Sequence, residues 1–558
     1  MIPTLLAVAA SVLLETDVPA TMRDGVVLRA DVLRPDSPGR FPAILIRTPY
    51  GKTSEWRDSF AIRAARAGYV VVAQDVRGRY ASEGVFRPYH QEGKDGYDTV
   101  EWVASLPYVN AKVGMAGLSY PGAVQWLAAM EKPPHLATIT PLMCFSNARH
   151  FFFNGGAWDL SWISWFYLNI APDARARAGL PGPKTDAEAD ELWEKHRQEW
   201  LRFLPLSELP VLRDTAPAYY DWLAHPEDGP YWDFANVEAR YGEIAIPALN
   251  LSGWHDEGYG PAGAIRNYQG TRKNKSRLII GPWRHGTPRL DRIREGELDF
   301  GVNAGLDHDA LLLRWFDFYL KGERNGLDRE KPVAIFVMGE NAWREEEDWP
   351  LARRVETPYY LRSGGKLSLE PADDERPDTY AYDPLDPVVD PHEGAQGPYD
   401  QSPLETREDV LVYQTEPLSK DVEVTGHIEV ELFASSSAKD TDFVVRLLDV
   451  HPDGRAFNLM SPTVEVIRAR YRDGENKVAL LEPGVVVPIR LNRLVTSNLF
   501  RAGHRIRIHV TSSLFPHFDR NPNTGEPIGK SAKTEVARQE IHHSTSYPSR
   551  IVLPVIPR

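Results

Sequence analysis

The chain has 558 residues, of which 42% are hydrophobic and 25% charged, the make-up of an ordinary soluble globular protein. With 64 Lys+Arg against 78 Asp+Glu its net charge is −14, which argues against nucleic acid or an anionic membrane as a principal partner. Its single cysteine, Cys144, excludes an internal disulfide framework, and a chain this long exceeds what one hydrophobic core organises, so about two to four domains are expected.

The first residues, Met1 to Leu14, are apolar and contain an Ala-Val-Ala stretch, which raises a signal peptide as one reading. No basic residue precedes Arg23, and the run is too short to span a bilayer, so a first β-strand or a disordered start is preferred and a cytoplasmic protein is expected. From Val26 to about residue 145, strand-like runs alternate with helical stretches. Phe41-Pro-Ala-Ile-Leu-Ile-Arg-Thr-Pro reads as a buried strand, Trp56 to Ala67 as a helix, Gly68-Tyr-Val-Val-Val-Ala-Gln-Asp as a second buried strand, and Gly93 to Leu106 as a helix. Continuous Val/Ile/Leu runs separated by helices indicate a mostly parallel sheet covered on both faces.

Between 146 and 242 the alternation stops. Aromatics crowd this segment (Phe151 to Phe153, Trp158, Trp162, Trp165 to Tyr167), and Asp186 to Leu204 reads as a helix in which Leu192, Trp193, His196 and Trp200 recur at three- and four-residue spacing. A helical insertion into an α/β sheet is a natural cap over a cleft. Strand signals resume at Ile246-Pro-Ala-Leu-Asn-Leu-Ser and Ser276-Arg-Leu-Ile-Ile-Gly, completing the sheet. From about 350 only β signals remain. Val422 to Phe433 and Gly503 to Thr511 alternate apolar and polar residues, as in a β-sandwich of jelly-roll type, and the Pro/Asp/Gly-rich stretch from Glu370 to Pro403 reads as a looped linker. The expected organisation is an α/β fold in 1–145 and 243–350, a helical cap in 146–242, and an all-β domain in 351–558.

The run Lys112-Val-Gly-Met-Ala-Gly-Leu-Ser-Tyr-Pro-Gly122, followed by Ala123 to Met130, reads as a strand, a tight turn carrying Ser119, and a helix. That is the nucleophile elbow of an α/β-hydrolase, which holds a serine oxygen exposed at the top of a sheet. Pro121 stands where G-x-S-x-G has its second glycine, and the glycine follows at Gly122. Proline supplies no N–H, and in a first helical turn none is needed. A serine nucleophile needs a base, and the base needs a carboxylate to hold its tautomer. Both follow in the chain order of α/β-hydrolases: Gly253-Trp-His-Asp256 after one predicted strand and Arg284-His285-Gly286 after the next. Each leaves the carboxyl end of its strand, where open α/β sheets bind ligands.

Singly, Asp256 could cap a helix beginning near Gly258, and His285 could be a loop histidine; three such residues in order at three strand ends favour the catalytic assignment. His255 is the nearest competitor and comes before the acid rather than after it. His255-Asp-Glu and His542-His543 lack metal-ligand spacing, so no metal and no cofactor are implied. A tetrahedral intermediate needs hydrogen-bond donors for its oxyanion. The N–H of Tyr120 supplies one, and the hydroxyl of Tyr50, in Arg47-Thr-Pro-Tyr-Gly, could supply the other.

These motifs together resemble the cocaine esterase/X-prolyl dipeptidyl peptidase family of serine hydrolases. The resemblance is carried by Met22-Arg-Asp-Gly-Val, Arg47-Thr-Pro-Tyr-Gly, Asp75-Val-Arg-Gly with Ser82-Glu-Gly, Gly117-Leu-Ser-Tyr-Pro-Gly, Gly253-Trp-His-Asp and Gly281-Pro-Trp-Arg-His. It continues through Asp442-Phe, Thr496-Ser-Asn and Ser512-Ser-Leu-Phe-Pro-His-Phe-Asp-Arg-Asn-Pro-Asn-Thr-Gly. It implies an α/β-hydrolase domain with an inserted helical cap plus a C-terminal jelly-roll domain, the triad Ser119, Asp256 and His285, and an oxyanion hole of Tyr50 and Tyr120. It also implies an acyl pocket lined by Phe151, Phe152, Trp165 and Phe166 of the cap and Leu411 of the β domain, although such aromatics could equally build the cap's own core. Glu257-Gly258 occupies the place just after the acid where the family carries an acyl-pocket aromatic.

The expected activity is hydrolysis of small acyl or aryl esters, with a small-molecule ester as the partner and a homo-oligomer left open. An X-prolyl peptidase or α-amino-acid ester hydrolase is the alternative within the family, and only Glu257 beside Asp256 offers a carboxylate for a substrate ammonium. A carbohydrate-binding role for the β domain is the alternative from another class. The Asp75/Arg77 motif reads as a structural brace.

Overall fold

The computed structural model describes residues 11–57, 59–256, 260–460 and 465–558. Residues 1–10 of the apolar start, and Glu257, Gly258 and Tyr259, lie outside the described residues.

Ten strands form the first sheet: β1 (Val12–Thr21), β2 (Val27–Pro35), β3 (Phe41–Thr48), β4 (Val70–Asp75), β5 (Val109–Leu118), β6 (Leu136–Leu142), β7 (Leu249–His255), β8 (Arg277–Arg284), β9 (Val333–Val337) and β10 (Ala342–Glu346). Their spatial order is β1-β2-β4-β3-β5-β6-β7-β8-β9-β10. The pairings from β4 through β9 are parallel, and β1, β2 and β10 add antiparallel strands at the two edges. Every residue of β4 and β7 is buried, as the unbroken apolar runs require of strands covered on both faces. Helices Lys52–Arg57, Ser59–Arg66, Glu92–Ser105 and Tyr120–Met130 follow their strands as the spacing predicts.

Between β6 and β7 the chain leaves the sheet and builds the cap. Its longest helix, Asp186–Leu201, opens with a capping box: Thr185 Oγ1 accepts the Glu188 N–H, and the Glu188 carboxylate accepts the Thr185 N–H. The cap has no separate core. Its rings (Phe152, Trp162, Phe166 and Trp222 among them) join Val124 and Trp126 of the sheet-covering helix in one apolar cluster, so the cap is fixed to the sheet by burial of aromatic surface.

The C-terminal domain begins at Val355–Arg362 and is a sheet of twelve strands wrapped round its own core of Leu361, Tyr382, Val430, Leu432, Val445 and Ile508. The stretch expected to be a linker belongs to this domain: Asp378–Tyr382 is a strand paired antiparallel with Ala537–His542. Its alternation was hidden by the flanking prolines and aspartates, which mark turns as readily as linkers. Two joints lock the domain to the rest. Met338, after β9, donates its N–H to Ser497 O at 3.0 Å and accepts the Leu499 N–H at 2.8 Å. Gly339 beside it has φ +77°, and a Cβ there would stand 2.2 Å from the Leu499 carbonyl oxygen, so no other residue fits without moving the joint. On the cap side, the buried Arg468 guanidinium bonds both oxygens of Asp442 at 2.9 Å and Asp519 at 2.8 Å, while Asp519 accepts the Trp158 N–H at 2.7 Å.

Candidate active site

Ser119 sits between the end of β5 and the helix Tyr120–Met130, with φ 66° and ψ −119°. A non-glycine residue held there is strained, and the surroundings enforce the strain. The Ser119 N–H is tied to Leu142 O at 2.9 Å and its carbonyl accepts the Ala123 N–H at 2.9 Å. A side chain at Gly117 would put its Cβ 2.3 Å from Pro121 Cβ, and one at Gly122 would meet Leu142 O at 2.7 Å. Gly122 thus performs the close approach to the neighbouring strand that the displaced glycine of the motif would otherwise provide.

Tyr120 anchors this corner. Its buried phenol donates to Glu92 Oε1 at 2.8 Å and accepts the Tyr89 N–H at 3.0 Å, while its ring stacks on Tyr89 with centroids 4.3 Å apart. Its own N–H lies in the first helical turn, where backbone donors have no intrahelical partner. Tyr50 stands in the loop after β3. The Trp165 indole, which can only donate, gives its N–H to the Tyr50 oxygen at 3.0 Å. The Tyr50 proton is therefore left for another acceptor, and its hydroxyl belongs to the same cavity as Ser119. Burial pushes this phenol up to about 12, so it stays protonated, and a donor, throughout the neutral and mildly alkaline range.

Asp256 and His285 follow the parallel neighbours β7 and β8, and their side chains meet: His285 Nδ1 is 2.6 Å from Asp256 Oδ1. The second carboxylate oxygen accepts the Ser252 hydroxyl at 3.2 Å. Asp256 is 1% exposed, whereas the His285 side chain keeps 27% of its surface accessible. This is the disposition of a buried carboxylate orienting a reachable imidazole. His255 turns the other way, as alternation along the strand dictates. It is buried, its ring centroid is 6.1 Å from that of Phe300, and burial lowers its pKa to about 3, so it stays neutral and off this site.

Ser119, Tyr50 and His285 face one cavity of about 260 Å³, whose wall includes Phe151 and Trp165. Phe152 and Phe166 stand back from it: Phe152 is fully buried and stacks on Trp222 at 3.9 Å, and Phe166 packs against Trp222 at 5.2 Å. Both belong to the cap's aromatic core rather than to the cavity wall. Leu411 opens the strand Leu411–Gln414, paired with Arg505–Thr511, and packs on the core of the β domain, off this wall as well.

The polar side of the cavity is Asp159, Ser161, Ser164, Asn169 and Gln396, none of them singled out by motif. Gln396 comes from the stretch expected to be a linker, and its side-chain oxygen accepts the His285 N–H at 2.9 Å. A loop glutamine 111 residues away from its partner carries no local sequence signal.

Two arginines hold the scaffold. Arg77 bonds Asp95 at 2.6 and 2.8 Å and Asp24 at 2.8 and 3.1 Å, a brace between loops, as the Asp75/Arg77 motif predicts. Arg79 reaches from the same turn to Pro49 O at 2.8 Å, beside Tyr50, and to Asn169 O and Ile170 O of the cap at 2.7 and 2.9 Å.

Comparison with known proteins agrees with this architecture. The profile of the X-Pro dipeptidyl-peptidase (S15) family matches residues 24–287, and that of the X-Pro dipeptidyl-peptidase C-terminal non-catalytic domain matches residues 325–552. The cocaine esterase of Rhodococcus sp. (strain MB1 Bresler) is 36% identical over 97% of this chain and 98% of its own. A solved aminopeptidase from a marine sediment Thaumarchaeota archaeon superposes with TM-score 0.81 at 26% identity, covering 100% of this chain and 98% of that one. A solved α-amino acid ester hydrolase superposes with TM-score 0.79 at 24% identity, covering 100% of this chain and 99% of that one, a likeness of fold. With both profiles matched in order and cocaine esterase aligned nearly end to end, the chain belongs to the cocaine esterase/X-prolyl dipeptidyl peptidase (S15) family of hydrolases.

Proposed function

We propose that the protein is a serine carboxylesterase acting on small acyl or aryl esters through Ser119, His285 and Asp256. The observation that carries this reading is the 2.6 Å contact between His285 and a buried Asp256, on a cavity that also holds Ser119 at its strained corner. Domain limits at 146–242 for the cap and 351–558 for the β domain are part of the proposal.

In the first half-reaction Ser119 Oγ attacks the ester carbonyl carbon while His285 Nε2 takes its proton. Asp256 holds the imidazole's Nδ1–H and stabilises the cation that forms. The Tyr50 hydroxyl and the Tyr120 N–H receive the negative oxygen, each contributing about 3 kcal/mol to the barrier reduction. His285 then protonates the alcohol as its C–O bond breaks, leaving an acyl-serine. Water adds to the acyl carbon, gives a proton to His285, and the acid leaves as that proton returns to Ser119.

A peptidase or amino-acid esterase reading keeps one supporting observation, the carboxylate of Asp159 on the cavity wall. One of its oxygens already accepts the Ser161 N–H at 2.8 Å, which reduces what it can offer a substrate ammonium. The deciding experiment is a paired panel: nitrophenyl acetate, butyrate and benzoate against Gly-Pro and Phe nitroanilides, with Ser119→Ala as control. Fast ester turnover lost in the variant, with anilides untouched, is the expected result. Anilide turnover dependent on Ser119 moves the protein to the peptidase reading, and ester turnover surviving in Ser119→Ala removes the nucleophile assignment.

A further inference from the structure

A second cavity of about 260 Å³ lies at the seam between the hydrolase sheet and the β domain. His255 and Phe300 line it from the first side, and Asp449, His451 and His504 from the second. The three β-domain residues converge because of strand register. Asp442–Val450 runs antiparallel to Arg505–Thr511, with Asp449 opposite Ile506 and Val450 opposite Arg505. One further step sets His451 across from His504, and Asp449, two residues before His451, projects from the same face.

The outcome is a compact set of donors. One ligand atom from each of Asp449, His451 and His504 lies within 4.8 Å of the others. His504 Nδ1 is 2.8 Å from Asp449 Oδ1, and the two imidazole centroids are 4.5 Å apart. Asn498 donates to the other Asp449 oxygen at 3.3 Å, which fixes the carboxylate. Across the cavity His255 is 1% exposed, and neither of its ring nitrogens has a hydrogen-bond partner. The side-chain oxygen of Asn341, on the same wall, is likewise buried without a partner. Buried polar groups in native proteins are nearly always satisfied, so two residues of one cavity wall that carry unpartnered polar atoms mark this wall as unusually polar.

We propose that Asp449, His451 and His504 form a binding site for a divalent transition-metal ion, zinc by its donor set, with the open coordination position facing the seam cavity and His255. Two imidazoles and a carboxylate suit zinc and its neighbours, whereas calcium and magnesium take oxygen ligands. Three protein ligands with a fourth position open is a common zinc arrangement. At bond lengths of about 2.1 Å tetrahedral ligand atoms stand about 3.4 Å apart, so binding replaces the 2.8 Å contact between His504 and Asp449 with a slightly wider spacing around the ion. His451 opens the hairpin turn between Asp442–Val450 and Ala456–Asn458, and His504 immediately precedes the strand Arg505–Thr511, so both histidines stand just outside the ladder. The bound ion clasps two turns of the β domain at the seam, beside the strand whose next residue is Asp256.

The test is calorimetric titration of the chelator-stripped full chain with zinc sulfate. The expected result is one ion bound per chain, weakened at least about 10-fold in His451→Ala and in His504→Ala, and unchanged in His196→Ala on the cap helix. Zinc should raise the thermal midpoint of the parent and leave that of the double variant where it was. No saturable binding by the parent, or binding that survives intact in the double variant, overturns the proposal. X-ray absorption at the zinc edge of the loaded parent needs no variant: two imidazoles in the first coordination sphere support the site, and a spectrum without them removes it. None of these readouts depends on the esterase assignment.

Discussion

The side-chain oxygen of Gln396 accepts the main-chain N–H of His285 at 2.9 Å, so a residue of the C-terminal stretch sets the backbone that carries the proposed base. The imidazole itself is held by Asp256. Gln396 is a positioning residue: it acts on turnover through His285. Its truncation in Gln396→Ala removes one neutral hydrogen bond, about 1 kcal/mol, and should lower kcat about 5- to 10-fold with KM nearly unchanged. Steady-state kinetics on nitrophenyl butyrate, beside an unchanged melting curve, checks this; an unaltered kcat would reduce the contact to packing.

Ser119→Ala should lower ester turnover by at least about a thousandfold and leave the fold intact. Alanine keeps the backbone of the corner, and the Leu142 and Ala123 hydrogen bonds are main-chain. Circular dichroism and a burst experiment with nitrophenyl acetate separate loss of chemistry from loss of structure, since the parent alone should show an acyl-enzyme burst.

Tyr50→Phe removes one oxyanion donor and should cost about 100- to 1,000-fold in kcat with a small change in KM. The pH profile gives a sharper check. An ordinary tyrosine loses its proton near pH 10, and here burial raises the value to about 12. The donor is therefore fully present below its ordinary pKa and disappears only as pH passes the raised one. Turnover by the parent should show no alkaline fall from this group between about pH 8 and 10. A fall in that window that vanishes in Tyr50→Phe would show that the hydroxyl ionises early and would remove its assigned role. Trp165→Phe, which deletes the indole donor to the Tyr50 oxygen, should lower kcat in the same direction by less.

Arg468→Leu should destabilise the protein by about 3–5 kcal/mol, because it leaves Asp442 and Asp519 buried without their cation. The variant should unfold at lower denaturant in chemical melts, and replacing Asp442 and Asp519 by asparagine in the same background should recover part of the loss. The contact between Asp519 and the Trp158 N–H ties the cap into the same cluster, so cap and β domain should lose protection together in hydrogen exchange.

Most of the architecture was legible because its signals are local. The apolar runs of β3 and β4, the corner at Ser119, and the helix from Asp186 are each set by residues a few positions apart. The order Ser119, Asp256, His285 was legible for the same reason, each residue ending its own strand. What stayed hidden is long-range. Phe151 and Phe152 are adjacent and chemically identical, yet one lines the cavity and the other is stacked away on Trp222, a choice made by the helical turn and by partners about seventy residues on. Leu411 faces its own domain's core because strand register with Arg505–Thr511 decides its side, and a four-residue strand does not announce its register. Gln396 and Asp378–Tyr382 were lost in a Pro/Asp/Gly-rich stretch whose composition describes turns and says nothing of what the turns touch.

The Arg79 guanidinium binds the carbonyl beside Tyr50 and two carbonyls of the cap at once. Cap and oxyanion loop are thereby one mechanical piece, and remodelling either is felt by the other. An engineer who transplants the 146–242 segment from a relative to change acyl preference inherits this coupling. The graft must present main-chain oxygens where Asn169 and Ile170 stand, or the tyrosine donor shifts and turnover falls even on substrates that fit the new wall.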